Sequence, residues 1–289
     1  MKRLLVFLIL FQGIGLWAQA DKNLREEKTQ EGISFLFADL SYSSDAVFMG
    51  RRDSVAAPYL LPSLGYYHRS GFYADASLSY LVKDENRVDM GLLSAGYRFD
   101  ANGLNGGIAA TKYFFNEESY NVQSQTSGNL MALLGYDFGF LELSVTGSTF
   151  FSEDGDTDFF AGLILDNSLS VIENKLILNP TFRLNAGSQY FYQEYYQTSR
   201  LGNRKGKNAM QQPMTVQTIE VEEASNFNIL SVELSLPVYY YHNQFIFSFR
   251  PHLAFPQGES KIITPDFVYE ETLDDVFYFS VGIGYWLIP

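Results

Sequence analysis

Residues 276–287 read VFYFSVGIGYWL, and their alternation decides the fold. Phe277, Phe279, Val281, Ile283, Tyr285 and Leu287 fall on one face of an extended chain, with Tyr278, Ser280, Gly282, Gly284 and Trp286 on the other. Successive side chains of a strand point to opposite faces, so a sustained period of two marks a strand with two different surroundings. The pattern recurs upstream. Leu230, Val232, Leu234, Leu236 and Val238 oppose Ser231, Glu233 and Ser235, while Phe245, Phe247 and Phe249 alternate with Ser248 and Arg250. Leu141, Leu143 and Val145 likewise oppose Glu142, Ser144 and Thr146. No helical period of comparable strength competes with it.

This reading places strands near 32–42, 58–68, 72–82, 88–99, 104–115, 129–138, 141–151, 159–172, 175–192, 227–241, 244–256 and 276–287. The connections are as informative as the strands. Tight ones at 68–71, 100–103, 139–140, 173–174 and 242–243 alternate with longer polar ones at 43–57, 83–87, 116–128, 152–158, 193–226 and 257–275. A soluble sandwich has no reason to keep its long loops at one end. An outer-membrane barrel does, because short turns face the periplasm and long loops face outside. The expected fold is therefore all-β, a transmembrane antiparallel up-and-down β-barrel of about twelve strands.

Composition agrees. The 289 residues include no cysteine, which excludes disulfides, thiolate metal sites and a cysteine nucleophile. The net charge of −13 argues against a nucleic-acid partner, which demands a basic face. Lys2 and Arg3, the apolar run from Leu4 and the closing Ala18-Gln19-Ala20 form a secretory signal peptide over 1–20. A polar periplasmic leader at 21–31 and a barrel domain at 32–289 complete the expected organisation, placed in the cell outer membrane with the signal removed. Beyond the signal, no apolar run is long enough for a helical span.

Aromatic residues make up 16% of the chain, and many fall near strand ends: Tyr42, Tyr59, Tyr66, Tyr97, Tyr113, Phe138, Phe151, Phe159, Tyr190, Tyr192, Tyr240, Phe255, Phe277 and Tyr285. They are expected to form girdles at the two headgroup levels. Three segments carry a family resemblance: PSLGYYHRSGFYADASLSYL (62–81), LPVYYYHNQFIFSF (236–249) and VFYFSVGIGYW (276–286). With the signal and the alternation, the chain resembles Gram-negative outer-membrane β-barrel proteins and is similar to uncharacterised barrels of the Bacteroidota. The resemblance implies architecture more than activity. It also implies contact with outer-membrane lipid and lipopolysaccharide, and with the barrel assembly machinery during biogenesis. The chain departs from the usual aromatic last residue by ending Leu287-Ile288-Pro289.

Function has to be sought on the inner face. A turn at His242-Asn243 sets Ser235 opposite Arg250 and Glu233 opposite His252, and a turn at 173–174 sets Asp166 opposite Thr181, diagonal to Arg183. Asp166, Arg183, Glu233, Arg250 and His252 are thus the expected lumenal group, with Glu142, Asp137 and Asp75 as further acids. Such charges either fill a narrow lumen as a salt-bridged plug or line a selective pathway. The leading reading is a porin-like narrow diffusion channel or structural membrane component, with no cofactor.

Two alternatives stand beside it. Long loops could hold a partner protein or glycan, with Arg200, Arg204, Lys205 and Lys207 as binding candidates. A lipid- or lipopolysaccharide-modifying enzyme would use His252 oriented by Glu233. His68-Arg69-Ser70-Gly71 resembles the His-x-Ser-x-Gly stretch of outer-membrane phospholipases, but it reads as a tight turn at the wrong end. Glu153, Asp154, Asp156 and Asp158 cluster without a recognisable ligand spacing, so no metal site is expected there.

Overall fold

A computed structural model describes residues 33–53, 56–82, 86–116, 119, 121–152, 157–172, 175–195, 220–221, 225–258, 261–263, 268–270 and 273–287. The signal peptide, the leader, and Arg200, Arg204, Lys205 and Lys207 lie outside the described residues. In chain order the strands are β1 (Phe35–Ser43), β2 (Tyr59–Tyr67), β3 (Phe72–Leu81), β4 (Arg87–Ala101), β5 (Leu104–Phe115), β6 (Thr126–Asp137), β7 (Glu142–Ser152), β8 (Thr157–Asp166), β9 (Leu169–Ile172), β10 (Leu176–Leu178) and β11 (Thr181–Gly187). Helix α1 (Tyr190–Tyr195) follows, then β12 (Glu220–Val221), β13 (Asn228–Ser235), β14 (Val238–His242), β15 (Phe245–Pro256), β16 (Lys261–Ile263), β17 (Val268–Glu270) and β18 (Val276–Leu287).

Antiparallel neighbours run from β1 through β8 to β11, β13, β15 and β18, and β18 pairs with β1, from Leu36 opposite Leu287 to Ser43 opposite Ser280. The sheet is a closed barrel of twelve staves, with β9, β10 and β14 continuing staves eight, nine and ten beyond short breaks. Closure leaves no edge strand with unpaired backbone groups. The loops containing β12, β16 and β17 form a separate small sheet. Among the described residues, no helix is long and apolar enough to cross a membrane.

Two of the breaks fall at a proline, and Pro251 lies beside them in the continuous β15. Pro180, Pro237 and Pro251 lack the N–H that a ladder requires and serve only as acceptors. Asn167 N donates to Pro180 O at 3.2 Å, Asn179 N to Pro237 O at 2.9 Å, and Leu236 N to Pro251 O at 3.2 Å. Three adjoining staves therefore share one irregular line.

Three expectations need correction. The ninth stave ends at Gly187, and α1 takes up residues expected as strand. The cause is Asp158, whose carboxylate accepts from Ser188 Oγ at 2.6 Å, Tyr190 N at 2.9 Å and Phe191 N at 2.7 Å. First-turn amides have no intrahelical acceptor, and here one acid captures two of them.

The second correction concerns the turn before β15. It is Asn243-Gln244, with His242 paired to Phe245 and Asn243 at φ 54°. Asparagine tolerates that left-handed conformation better than most residues. The one-residue move shifts the register by two, so Ser235 faces His252 and Glu233 faces Ala254. Asp166 opposite Thr181 is as expected.

Third, the aromatics divide between two faces. Tyr66, Tyr97, Phe138, Phe151, Phe159 and Phe277 point outward and are exposed, whereas Tyr59 and Tyr192 are buried inside and Tyr113 packs against the interior cluster around Phe150.

Candidate functional site

The inner wall has three zones. The first is aromatic and centres on β1, β2, β3, β14, β15 and β18, where Phe35, Phe37, Tyr67, Tyr73, Tyr239, Ile246 and Trp286 form one buried cluster. Phe35 stacks on Tyr67 at 5.0 Å, Tyr67 on Tyr73 at 5.8 Å, and Phe37 meets Trp286 edge-on at 5.2 Å. Glycine makes this possible: Tyr67 occupies the space a side chain at Gly65 would take, Tyr73 that of Gly96, and Phe37 that of Gly284. Rings lying flat over glycines fill a narrow lumen from the wall inward.

The second zone lies at the long-loop end. Phe48 and Arg51 close a two-residue hairpin with backbone bonds of 2.8 and 2.9 Å. Its turn residues, Met49 at φ 49° and Gly50 at φ 78°, adopt the positive angles such tight hairpins need. Phe48 packs on Phe150, Phe160 and Phe191 at 5.5, 5.6 and 5.0 Å. Met49 joins Val122, Phe150, Phe160, Phe191 and Leu230, while Val47 packs with Ala254, Val276 and Tyr278. Arg51 donates to Gly258 O at 2.7 Å and lies over the Tyr192 ring at 5.0 Å. Staves one and seven are diametrically opposed in a ring of twelve, so a loop leaving β1 and packing on β7 and β8 crosses the mouth.

Between these lies a polar waist containing all five expected lumenal residues. Asp166 and Arg250 are buried, and Arg183, Glu233 and His252 are partly buried. They are not a salt-bridged set. Glu233 Oε1 accepts from Asn185 Nδ2 at 3.0 Å and Ser231 Oγ at 3.1 Å, although Arg183 is its cross-strand partner. His252 stacks flat on Tyr278 at 4.7 Å and 3°, so the Glu233–His252 couple that an enzyme would need is not assembled. Arg250 instead donates to Ser41 Oγ at 3.3 Å, and Ser41 Oγ donates to Asp39 Oδ2 at 2.5 Å. Arg183 Nε, Arg250 Nε, Asp39 Oδ1 and both oxygens of Asp75 are buried without hydrogen-bond partners.

Sequence reasoning missed Asp39, although the alternation of Phe35, Phe37, Asp39 and Ser41 places it on the inner face. It also missed Asn105, which donates to Glu142 Oε1 at 2.9 Å. At the short-turn end a cavity of about 330 Å³ is lined by His68, Arg98, Asp100, Asn105 and Leu133, among others. His68 Nδ1 lies 2.7 Å from Ser70 Oγ, and Gly71 N donates to His68 O at 2.9 Å, a local turn network with Gly71 at φ 96°. Of the acidic cluster, Asp158 is engaged at α1, and Glu153, Asp154 and Asp156 lie outside the described residues.

No protein family matches the chain, and no curated protein matches it. Among solved structures it is similar to the KdgM porin at 7% identity and a TM-score of 0.45, covering 86% of this chain and 98% of that one. It is similar to the COG4313 outer membrane channel from Pseudomonas putida F1 at 10% identity and 0.44, covering 90% and 97%. It is also similar to LpxR from Salmonella typhimurium at 11% identity and 0.41, covering 86% and 99%.

Proposed function

We propose that the chain is an outer-membrane β-barrel forming a narrow, cation-preferring diffusion channel, closed in this conformation by the loop that follows β1. The outer wall supports the membrane placement: Leu64, Leu93, Ile108, Phe114, Leu130 and Phe277 point outward and are half or more exposed. Such a band is unfavourable in water and fits hydrocarbon, where a closed barrel satisfies its own backbone. Kinship with Bacteroidota barrels, and contacts with lipopolysaccharide and the assembly machinery, belong to the same proposal.

The channel reading is carried by buried polar atoms of the waist that lack hydrogen-bond partners. A structural filler would satisfy such atoms, because a buried polar group left without a hydrogen bond is costly. Arg183, Arg250, Asp39 and Asp75 all leave polar atoms without partners, which water or a permeant ion would supply. Among the described residues of the inner wall, Asp39, Asp75, Glu142, Asp166 and Glu233 outnumber Arg98, Arg183 and Arg250, and that excess favours cations.

Planar-bilayer recording of the refolded protein tests this. Because the chain has no cysteine, Val47→Cys with Ala254→Cys can tether the loop to β15 cleanly. The expected outcome is cation-preferring current in the wild type that is abolished by the oxidised tether and restored by reductant. A wild-type barrel that stays silent across voltages would refute the channel.

A further inference from the structure

We infer that the permeant is a small monovalent cation whose route is a ladder of bare oxygens on the inner face of β3: Asp75, Ser77 and Ser79. This rests on the channel reading above and gives it a path and a permeant class. β3 runs from the short-turn end to the long-loop end, with Tyr73, Asp75, Ser77, Ser79 and Leu81 as its buried, inward residues. Asp75, Ser77 and Ser79 are only 5%, 5% and 2% exposed. Among the described residues, both oxygens of Asp75 and the hydroxyls of Ser77 and Ser79 have no hydrogen-bond partner. Alternate residues of a strand stand roughly 7 Å apart, so the three form consecutive rungs along the barrel.

The flanking strands explain why the rungs stay bare. On β4, Leu92 pairs with Ser77 and Met90 with Ser79, and both are buried apolar side chains with nothing to donate. On β2, Ser63 pairs with Ser77, and although it points inward it is only partly buried, which leaves room over it. Asp39 of β1 pairs with Ser63 in turn, and its Oδ1 also lacks a hydrogen-bond partner. A single orphaned hydroxyl says little. Three consecutive inward positions, one of them a carboxylate, point to a partner from outside the chain. The wall at β7 has no such run: its unpartnered Ser144 and Ser148 are separated by Thr146, and Glu142 accepts from Asn105.

Both ends of the ladder meet features already described. Below Asp75, Tyr73 pairs with Tyr67, which lines the 330 Å³ cavity at the short-turn end. Above Ser79, Leu81 is buried with Tyr59, Leu61 and Ala57, and Ala57 belongs to the loop that closes the mouth. Aromatic stack and loop therefore bound the ladder at its two ends. Along it, hydroxyls stand in for the water oxygens of a passing ion, and one carboxylate attracts without the tight grip of several. Mg²⁺ gives up water reluctantly and demands a near-octahedral set of oxygens, which a single file of rungs does not provide. An ion of the Na⁺ or K⁺ type fits.

Silver tests the route, because Ag⁺ is a small monovalent cation that bonds to thiols and the chain has no cysteine. Refolded full-length Ser77→Cys and Ser79→Cys barrels, checked by the heat-modifiable gel shift, are recorded in planar bilayers before and after Ag⁺. Each is expected to lose most of its K⁺ current while the wild type keeps its own. Reversal potentials of the wild type should rank K⁺ well above Mg²⁺. If a cysteine variant fails to fold, Ser77→Ala or Ser79→Ala replaces it, and K⁺ current should fall several-fold with the oxygen removed. Block at Ser144→Cys or Ser148→Cys instead would move the route to β7 and overturn the ladder. So would silver-insensitive current in the folded β3 cysteine variants, unchanged current in the alanine variants, or equal permeation of Mg²⁺. Each of those outcomes leaves a conducting wild type and counts against the ladder alone. A silent wild type removes the channel and the ladder with it.

Discussion

Gly135 and Gly282 are both inward-facing glycines roofed by oxygen atoms from neighbouring strands, but different charged residues gather around them. Over Gly282, Ser41 Oγ and Ser248 Oγ come within 3.0 Å of the vacant Cβ position, and Arg250 reaches Ser41 while Ser41 reaches Asp39. Over Gly135, the hydroxyl and amide meet Glu142 and Asp166. The same local device, small floor and polar roof, thus yields a charge-balanced cluster in one place and gathers the carboxylates Glu142 and Asp166 in the other. A glycine inside a narrow barrel creates room. The residues on the flanking strands decide which side chains fill that room.

Breaking the balanced site should have the largest effect. Arg250→Met leaves Asp39 buried without its bridged cation and should cost about 3 kcal/mol. Urea unfolding from lipid vesicles would measure it, and adding Asp39→Asn should recover most of the loss. At the other glycine, Asn105→Ala removes the amide that donates to Glu142 Oε1 and should cost about 1–2 kcal/mol by the same unfolding measurement.

Gly135→Ala and Gly282→Ala sharpen the contrast further. Each pushes a methyl into its roof and should lower stability by about 1–2 kcal/mol, read from the same unfolding curves. The smallest effect belongs to Asp75→Asn, outside both clusters. It should lower the cation-over-anion permeability ratio about twofold, read from reversal potentials, with little change in stability.

How much of this could be read beforehand follows from what each feature depends on. Strands 104–115 and 276–287 matched their expected limits because alternation is local and turns bound it. Asp166 opposite Thr181 was legible too. The Glu233–His252 pairing was not, because moving one turn residue shifts every pair on that hairpin by two. Helix α1 depends on Asp158, 33 residues before Phe191, and no local period carries that information. Tyr59 and Tyr113 were assigned by nearness to strand ends, whereas their parity with inward Leu61 and Thr111 gives the correct face. The polar roof over Gly135 was hidden for a related reason: a glycine in LLGYD shows its use only when the flanking strands are known.

The line of prolines has a mechanical consequence. A barrel resists widening through its hoop of cross-strand hydrogen bonds, and opening it elsewhere means breaking them. At Pro180, Pro237 and Pro251 donors are absent from the outset, so an outward strain there meets fewer bonds. Staves nine to eleven form the compliant arc of an otherwise stiff ring. Arg183, Glu233, Arg250 and His252 ride on that arc, so a change in bilayer tension would reach them before Glu142 or Asp75.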